Sequence, residues 1–163
     1  MVAIFSIKIL TVGKLRERFY QAACEEYLKR LRAFCDVALL ELPECRLPEH
    51  PTEAEIRQGL QREAEEIRAK IPKGAFFCVC TPEGKQLSSE ELAKTLEERK
   101  SGGTSSVCFL IGSSFGVDSA IKAMADLSLS MSRMTFPHHL FRVMLLEQLY
   151  RAESIQAGTK YHK

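Results

Sequence analysis

Three short stretches of this chain combine glycine, serine, proline and small polar residues directly after apolar runs. They are Cys80 to Lys85, Gly112 to Gly116 and Met131 to Phe136. Such loops let backbone N–H and C=O groups approach a bound ligand closely. Gly112-Ser113-Ser114-Phe115-Gly116 has the composition of a phosphate loop. The chain nevertheless lacks GxxxxGK(S/T) and a complete GxGxxG, which argues against Walker and dinucleotide-binding loops. On glycine placement alone, the plain reading is a tight strand-to-helix turn.

His138 and His139 adjoin Pro137 at a helix start. Neighbouring helical residues point about 100° apart, so the two rings cannot readily share one ion. No other metal ligands stand nearby, so no metal site is expected, and a capping or packing role is the plainer reading. The final residues, Gly158-Thr159-Lys160-Tyr161-His162-Lys163, join two lysines, an aromatic ring and an imidazole. A tail of this kind is ordinarily disordered; its functional alternative is RNA contact or base stacking.

The elements that position these residues follow from periodicity. Ile4 to Val12 reads as a strand and Arg16 to Phe34 as a helix. Val37 to Leu42 reads as a second strand, and the three prolines from Pro43 to Pro51 as a loop. Thr52, with Glu55 three residues on, has capping-box spacing and opens a helix to about Lys70. The many charges of that helix read as a solvated face. Ala75 to Cys80 reads as a third strand, with a turn at Thr81-Pro82-Glu83-Gly84. Ser88 or Ser89 then caps a helix to about Lys100. Val107 to Ile111 is a fourth strand, Asp118 to Ala125 a short helix, and Leu127 to Met131 a short fifth strand or extended segment. Pro137 opens a last helix, His138 to about Ala152, apolar on more than one face. It is either fully buried or packed against a second subunit. Strands alternating with helices predict an α/β class with a mostly parallel sheet in a single domain, 1–163.

Composition narrows the function classes. Hydrophobic residues make up 45% and charged residues 27%, as in ordinary globular proteins. The formal net charge is only +2, so RNA contact would rest on a local patch, on shape or on a preassembled target. Lys8 interrupts the apolar start, no basic segment precedes it, and no cleavage site follows closely, so an opening strand is expected rather than a signal peptide. No run is long and apolar enough to span a membrane. The six cysteines form no CxxC pair, and several lie in apolar runs, where a free thiol acts as a small hydrophobe. Cys78 and Cys80 are read as pointing to opposite faces of one strand. A reducing, cytoplasmic setting is expected.

A longer composite carries a family resemblance. It runs through Leu110-Ile111-Gly112, Leu127-Ser128-Leu129-Ser130, Met134-Thr135-Phe136-Pro137-His138, Arg142-Val143, Glu147-Gln148, Tyr150-Arg151-Ala152 and Tyr161-His162-Lys163. In the N-terminal half, Val12-Gly13-Lys14, Glu26-Tyr27 and Gly84-Lys85-Gln86-Leu87-Ser88-Ser89-Glu90 agree more loosely. In this order and spacing the chain resembles the RlmH family of SPOUT methyltransferases. The resemblance implies a SPOUT fold with a C-terminal trefoil knot, S-adenosyl-L-methionine as methyl donor, and a homodimer whose sites are completed by the neighbouring subunit. It implies methylation of N3 of a pseudouridine in large-subunit ribosomal RNA on the assembled ribosome, with no DNA or membrane partner. Donor contacts then fall at Cys80, Gly112, Met131, Ser132, Arg133, Met134, Thr135 and Phe136. The imide proton must leave as the methyl arrives; His162 is expected to accept it or to position the substrate, with Tyr161 orienting the base and Arg142 contacting phosphate or offsetting charge. Two positions depart from the family: Ser113 stands where a second glycine is usual, and Thr81 where many members are acidic. Serine at 113 would be strained if that position needs positive φ. Another RNA substrate, such as transfer RNA, and a non-enzymatic ribosome-binding role remain as alternatives.

Overall fold

A computed structural model describes residues 5–163. The order is β1 (Ser6–Val12), α1 (Arg18–Leu31), β2 (Asp36–Leu42), α2 (Glu53–Lys70), β3 (Phe76–Gln86), α3 (Ser89–Ser101), β4 (Ser106–Ile111), α4 (Ser119–Met124), β5 (Leu127–Ser130) and α5 (His138–Gln156). The five strands form one sheet in the order β2-β1-β4-β3-β5, every pair parallel. The expected α/β class is therefore the observed one. Ile4, expected to begin the first strand, lies outside the described residues.

Strand alternation decides the two faces. Ile7, Ile9, Phe76, Cys78, Val107, Phe109 and Ile111 turn towards α1, α3 and α5, where Leu31, Leu96, Leu145, Leu146 and Leu149 are buried. Leu10, Val12, Phe77, Val79, Cys108 and Leu110 face the other way, onto Ala64 and Ile67 of α2 and Ile121 of α4. Strands covered on both sides must be apolar on both faces, which is why they read as continuous hydrophobic runs.

Two helices start as local chemistry dictates. Thr52 Oγ1 accepts from Glu55 N (3.2 Å), and the Glu55 carboxylate accepts from Thr52 N (3.3 Å). Ser88 and Glu91 form a second capping box, at 3.0 and 2.7 Å, so Ser88 and not Ser89 is the cap. Each cap of this kind is worth about 1 kcal/mol. Pro137 sits at the cap position of α5 with extended backbone, and α5 runs to Gln156, beyond the expected end.

Three expectations need correction. The turn expected at Thr81–Gly84 is part of β3, which extends to Gln86 through a bulge; Cys80 and Lys85 both pair with Leu129. Gly84 makes this possible, because a Cβ there would meet the Leu129 and Ser128 backbone at 2.8 Å. Cys78 and Cys80 do not oppose one another: residues two apart share a strand face. Both pack in the layer towards α1, α3 and α5, where Cys80 and burial push the Cys78 thiol up. Finally, the charged face of α2 is not wholly solvated, since Glu63 is buried.

Candidate active site

The carboxyl ends of β3, β4 and β5 open into a cleft of about 710 Å³. Ligands of open parallel sheets bind at such ends. Cys80 reaches it from β3, Gly112 from the end of β4, and Met131, Ser132, Met134, Thr135 and Phe136 from the segment between β5 and α5. Of the expected donor contacts, Arg133 alone does not line the cleft.

The two loops are built tightly. A Cβ on Gly112 would lie 2.5 Å from Gly116 O and 2.5 Å from Val117 Cγ2. The turn closes through Gly116 N donating to Ser113 O at 2.9 Å, and Gly116 takes the positive φ of 97°. Ser113 does not: no non-glycine residue among those described has positive φ, so the strain expected at Ser113 is absent. Across the cleft, Ser130 Oγ donates to Ser132 O (2.9 Å) and Met134 N donates to Ser132 Oγ (3.0 Å), shaping the 131–136 segment around Ser132.

Polar groups at the cleft are mostly committed. Glu83 pairs with Lys122, which holds its carboxyl down to about 2. Thr81 Oγ1 is a buried hydroxyl without a hydrogen-bond partner among the described residues. Burial, with His139 beside it, pushes the His138 imidazole below its ordinary value, which favours the neutral ring at the mouth. His139 faces Glu17 instead, at 3.0 Å. Among the described residues no group of His, Cys, Asp and Glu could hold a metal ion.

Sequence reasoning missed Glu63. Its Oε1 accepts from Ser113 Oγ (3.1 Å) and its Oε2 from Cys45 N (2.9 Å). Burial pushes this carboxyl up, against the pull of those two donors. The available signal was its place four residues from both Gly59 and Ile67, on the buried stripe of α2.

The three expected catalytic residues stand apart from the cleft within one chain. Arg142 is buried, its Nη1 2.8 Å from Glu41 Oε2 and its Nη2 3.4 Å from Gly13 O. Partial burial raises the Glu41 carboxyl, but Arg142 and the Leu15 amide outweigh this and hold it below its ordinary value. The tail folds back on α5: Tyr161 stacks edgewise on Tyr150 (4.6 Å) and donates to Glu147 (3.0 Å). His162 Nε2 lies 2.8 Å from Glu90. Glu147 also borders a smaller cavity of about 480 Å³, which shares Ser130 and Met131 with the main cleft.

A parallel sheet covered on both faces, with a tight-looped cleft at its strand ends, defines an α/β ligand-binding fold. The family model described as "Predicted SPOUT methyltransferase" matches residues 5–162, and the chain belongs to that family. It is 44% identical over 158 residues to the ribosomal RNA large subunit methyltransferase H of Leuconostoc mesenteroides, covering 97% of this chain and 99% of that protein. It is 45% identical to the protein of the same name from Bifidobacterium adolescentis, covering 96% and 99%. Among solved structures it resembles the tRNA (m1G37) methyltransferase of Aquifex aeolicus, with TM-score 0.57 and 12% identity over 98% of this chain and 73% of that one. That likeness speaks to the fold alone. Among the described residues no helix is long and apolar enough to cross a membrane.

Proposed function

We propose that this protein transfers the methyl group of S-adenosyl-L-methionine to N3 of a pseudouridine in large-subunit ribosomal RNA, acting on the assembled ribosome in the cytoplasm. The observation that carries the reading is the cleft at the ends of β3, β4 and β5, in a chain close to full-length ribosomal RNA methyltransferases. Residues 1–163 act as one domain. The chain passes from β5, at the sheet edge, to α5, which packs on α1 and α3. The C-terminal trefoil knot of the SPOUT fold is part of this reading.

The residues present fit such a donor. The tight turn brings the Gly112 backbone to the cleft wall, the Thr81 hydroxyl lacks a partner among the described residues, and Met131 and Phe136 offer apolar walls. Gly112, Cys80 and the 131–136 segment would hold it. When bound, S-adenosyl-L-methionine supplies an electrophilic methyl group for in-line displacement, a reaction governed by alignment. The protein's part is to fix the target nitrogen on that line, exclude water and take up the imide proton.

His162 accepts that proton or positions the base, with Tyr161 orienting it. Neither residue lies at the cleft of its own chain, so the protein works as a homodimer in which one protomer's tail completes its partner's site. The incompletely covered Leu140, Phe141, Val143 and Met144 of α5 support this, as do exposed Phe19, Phe115 and Met134. Arg142 contacts phosphate or offsets the developing imide charge once its Glu41 pair opens.

The test is transfer of labelled methyl from S-adenosyl-L-methionine to ribosomes lacking the modification, followed by nucleoside analysis. Label in N3-methylpseudouridine is the expected result. Label appearing only in transfer RNA would overturn the substrate, and no donor binding at millimolar concentration would overturn the enzyme reading.

A further inference from the structure

Glu63 is a carboxylate only 6% exposed, on a helix otherwise rich in solvent-facing charge. A buried carboxylate is costly unless its oxygens are hydrogen-bonded. Both are, and each serves a different loop. Oε1 takes the hydroxyl of Ser113, and Oε2 takes the backbone N–H of Cys45. Ser113 lies two residues past the end of β4, in the turn that Gly116 N closes onto Ser113 O. Cys45 belongs to the proline-rich segment between β2 and α2. That segment also sits on α2 at Gly59, where an added Cβ would meet Leu47 at 3.0 Å and Cys45 Sγ at 3.6 Å.

We propose that Glu63 is a positioning residue for the methyl-donor site: it ties the Gly112–Gly116 turn to the Pro43–Pro51 segment and holds the turn in its donor-binding shape. Ser113, which takes the place of a glycine, supplies the hydroxyl for this tie. Glu63 itself does not line the cleft and touches no substrate. Its effect passes through Ser113 to the backbone of the turn, beside the site where Gly112 leaves no room for a side chain. By the same linkage, donor bound in the cleft steadies Cys45, although Cys45 is not among the lining residues.

This assignment rests on the methyl-donor reading above, and its test separates the two. S-adenosyl-L-methionine is titrated calorimetrically into the full-length wild type, Ser113→Ala, Glu63→Leu, Glu63→Gln and the Ser113→Ala/Glu63→Leu double variant. Thermal melts are run alongside. Ser113→Ala is expected to weaken donor binding by roughly three- to tenfold, the size of one hydrogen bond. In the Glu63→Leu background the same change is expected to add less than twofold, because the two residues act through one contact. Glu63→Gln, which keeps an acceptor for Cys45 and a partner for Ser113, is expected to stay within threefold of wild type. Turnover on ribosomes is expected to show a raised donor KM with kcat at saturating donor unchanged. Hydrogen exchange is expected to slow at the Cys45 amide when donor is added to the wild type, and not in Glu63→Leu. Unchanged donor affinity in Ser113→Ala, or independent effects in the double variant, would overturn the proposal while leaving the donor reading intact. A wild type that binds no donor would sink that reading and this assignment with it.

Discussion

Replacing Gly112 by alanine is the sharpest single perturbation of the cleft. The added Cβ would sit 2.5 Å from Gly116 O and 2.5 Å from Val117 Cγ2, with Gly116 C at 2.9 Å. Comfortable non-bonded contacts lie at about 3.5–4.0 Å, so roughly 1 Å of separation must be created. Neither neighbour can easily retreat. Gly116 is tied by its N–H to Ser113 O, and Val117 is packed with Ile121 against Leu110 and Val79. The turn itself must therefore shift. Overpacking of this kind costs about 1–3 kcal/mol. For a chain of this size that lowers Tm by about 2–12 °C. If the same strain falls on the donor-binding shape of the turn, Kd for S-adenosyl-L-methionine rises roughly five- to 150-fold. Scanning calorimetry and isothermal titration read the two effects separately. A Gly112→Ala protein with Tm within 1 °C and Kd within twofold of wild type (thresholds of about RT) would show that the close approach at Gly112 does not shape the site.

Three further outcomes are expected. Glu41→Ala strands the Arg142 guanidinium, which is 2% exposed and whose Nε already lacks a partner; Glu41 is partly solvated, so the loss should fall at or below the low end of the usual range for breaking a buried pair, about 2–3 kcal/mol in urea unfolding, and a change too small to shift the urea midpoint would refute the pairing. Burial, the Glu147 carboxylate and Tyr27 push the Tyr161 phenol up to about 12; its stabilising contribution is therefore complete below the ordinary value of 10.0 and lost as pH rises through about 12. Ultraviolet titration of wild type minus Tyr161→Phe should show this phenol, and Glu147→Gln should move it down; an unmoved titration would sever the contact. Glu83, held at about 2 by Lys122, contributes stability above its ordinary value of 4.5 that is lost as pH falls towards 2. With its side chain 62% exposed, solvent screening keeps that contribution below about 1 kcal/mol. Lys122→Ala should raise the Glu83 titration seen by carboxyl NMR, and high salt should shrink the difference.

What the sequence determined by itself is mostly local. The cap at Thr52 and the end of β2 at Pro43 depend on bonds and sterics within a few residues, so they could be read without the fold. The two loops at 112–116 and 131–136 can be read the same way, because glycine or small polar residues after an apolar run mark a close backbone approach wherever the sheet lies. The long composite from Leu110 to Lys163 carried the family likeness and, with it, the expected roles of Tyr161 and His162. Tertiary structure decided the rest. The order β2-β1-β4-β3-β5 sets which strand ends become neighbours, and no local pattern encodes it. The bulge at Thr81–Gly84 looked like a turn because proline and glycine stand there; β5 pairs on both sides of it and keeps the strand going. Arg142 finds Glu41 across 101 residues, and Glu63 finds Ser113 across 50. A charge on an amphipathic helix looks solvated in sequence. Only the packing of α2 beneath the β2–α2 segment and against the β4 turn removes it from water and makes its hydrogen bonds obligatory.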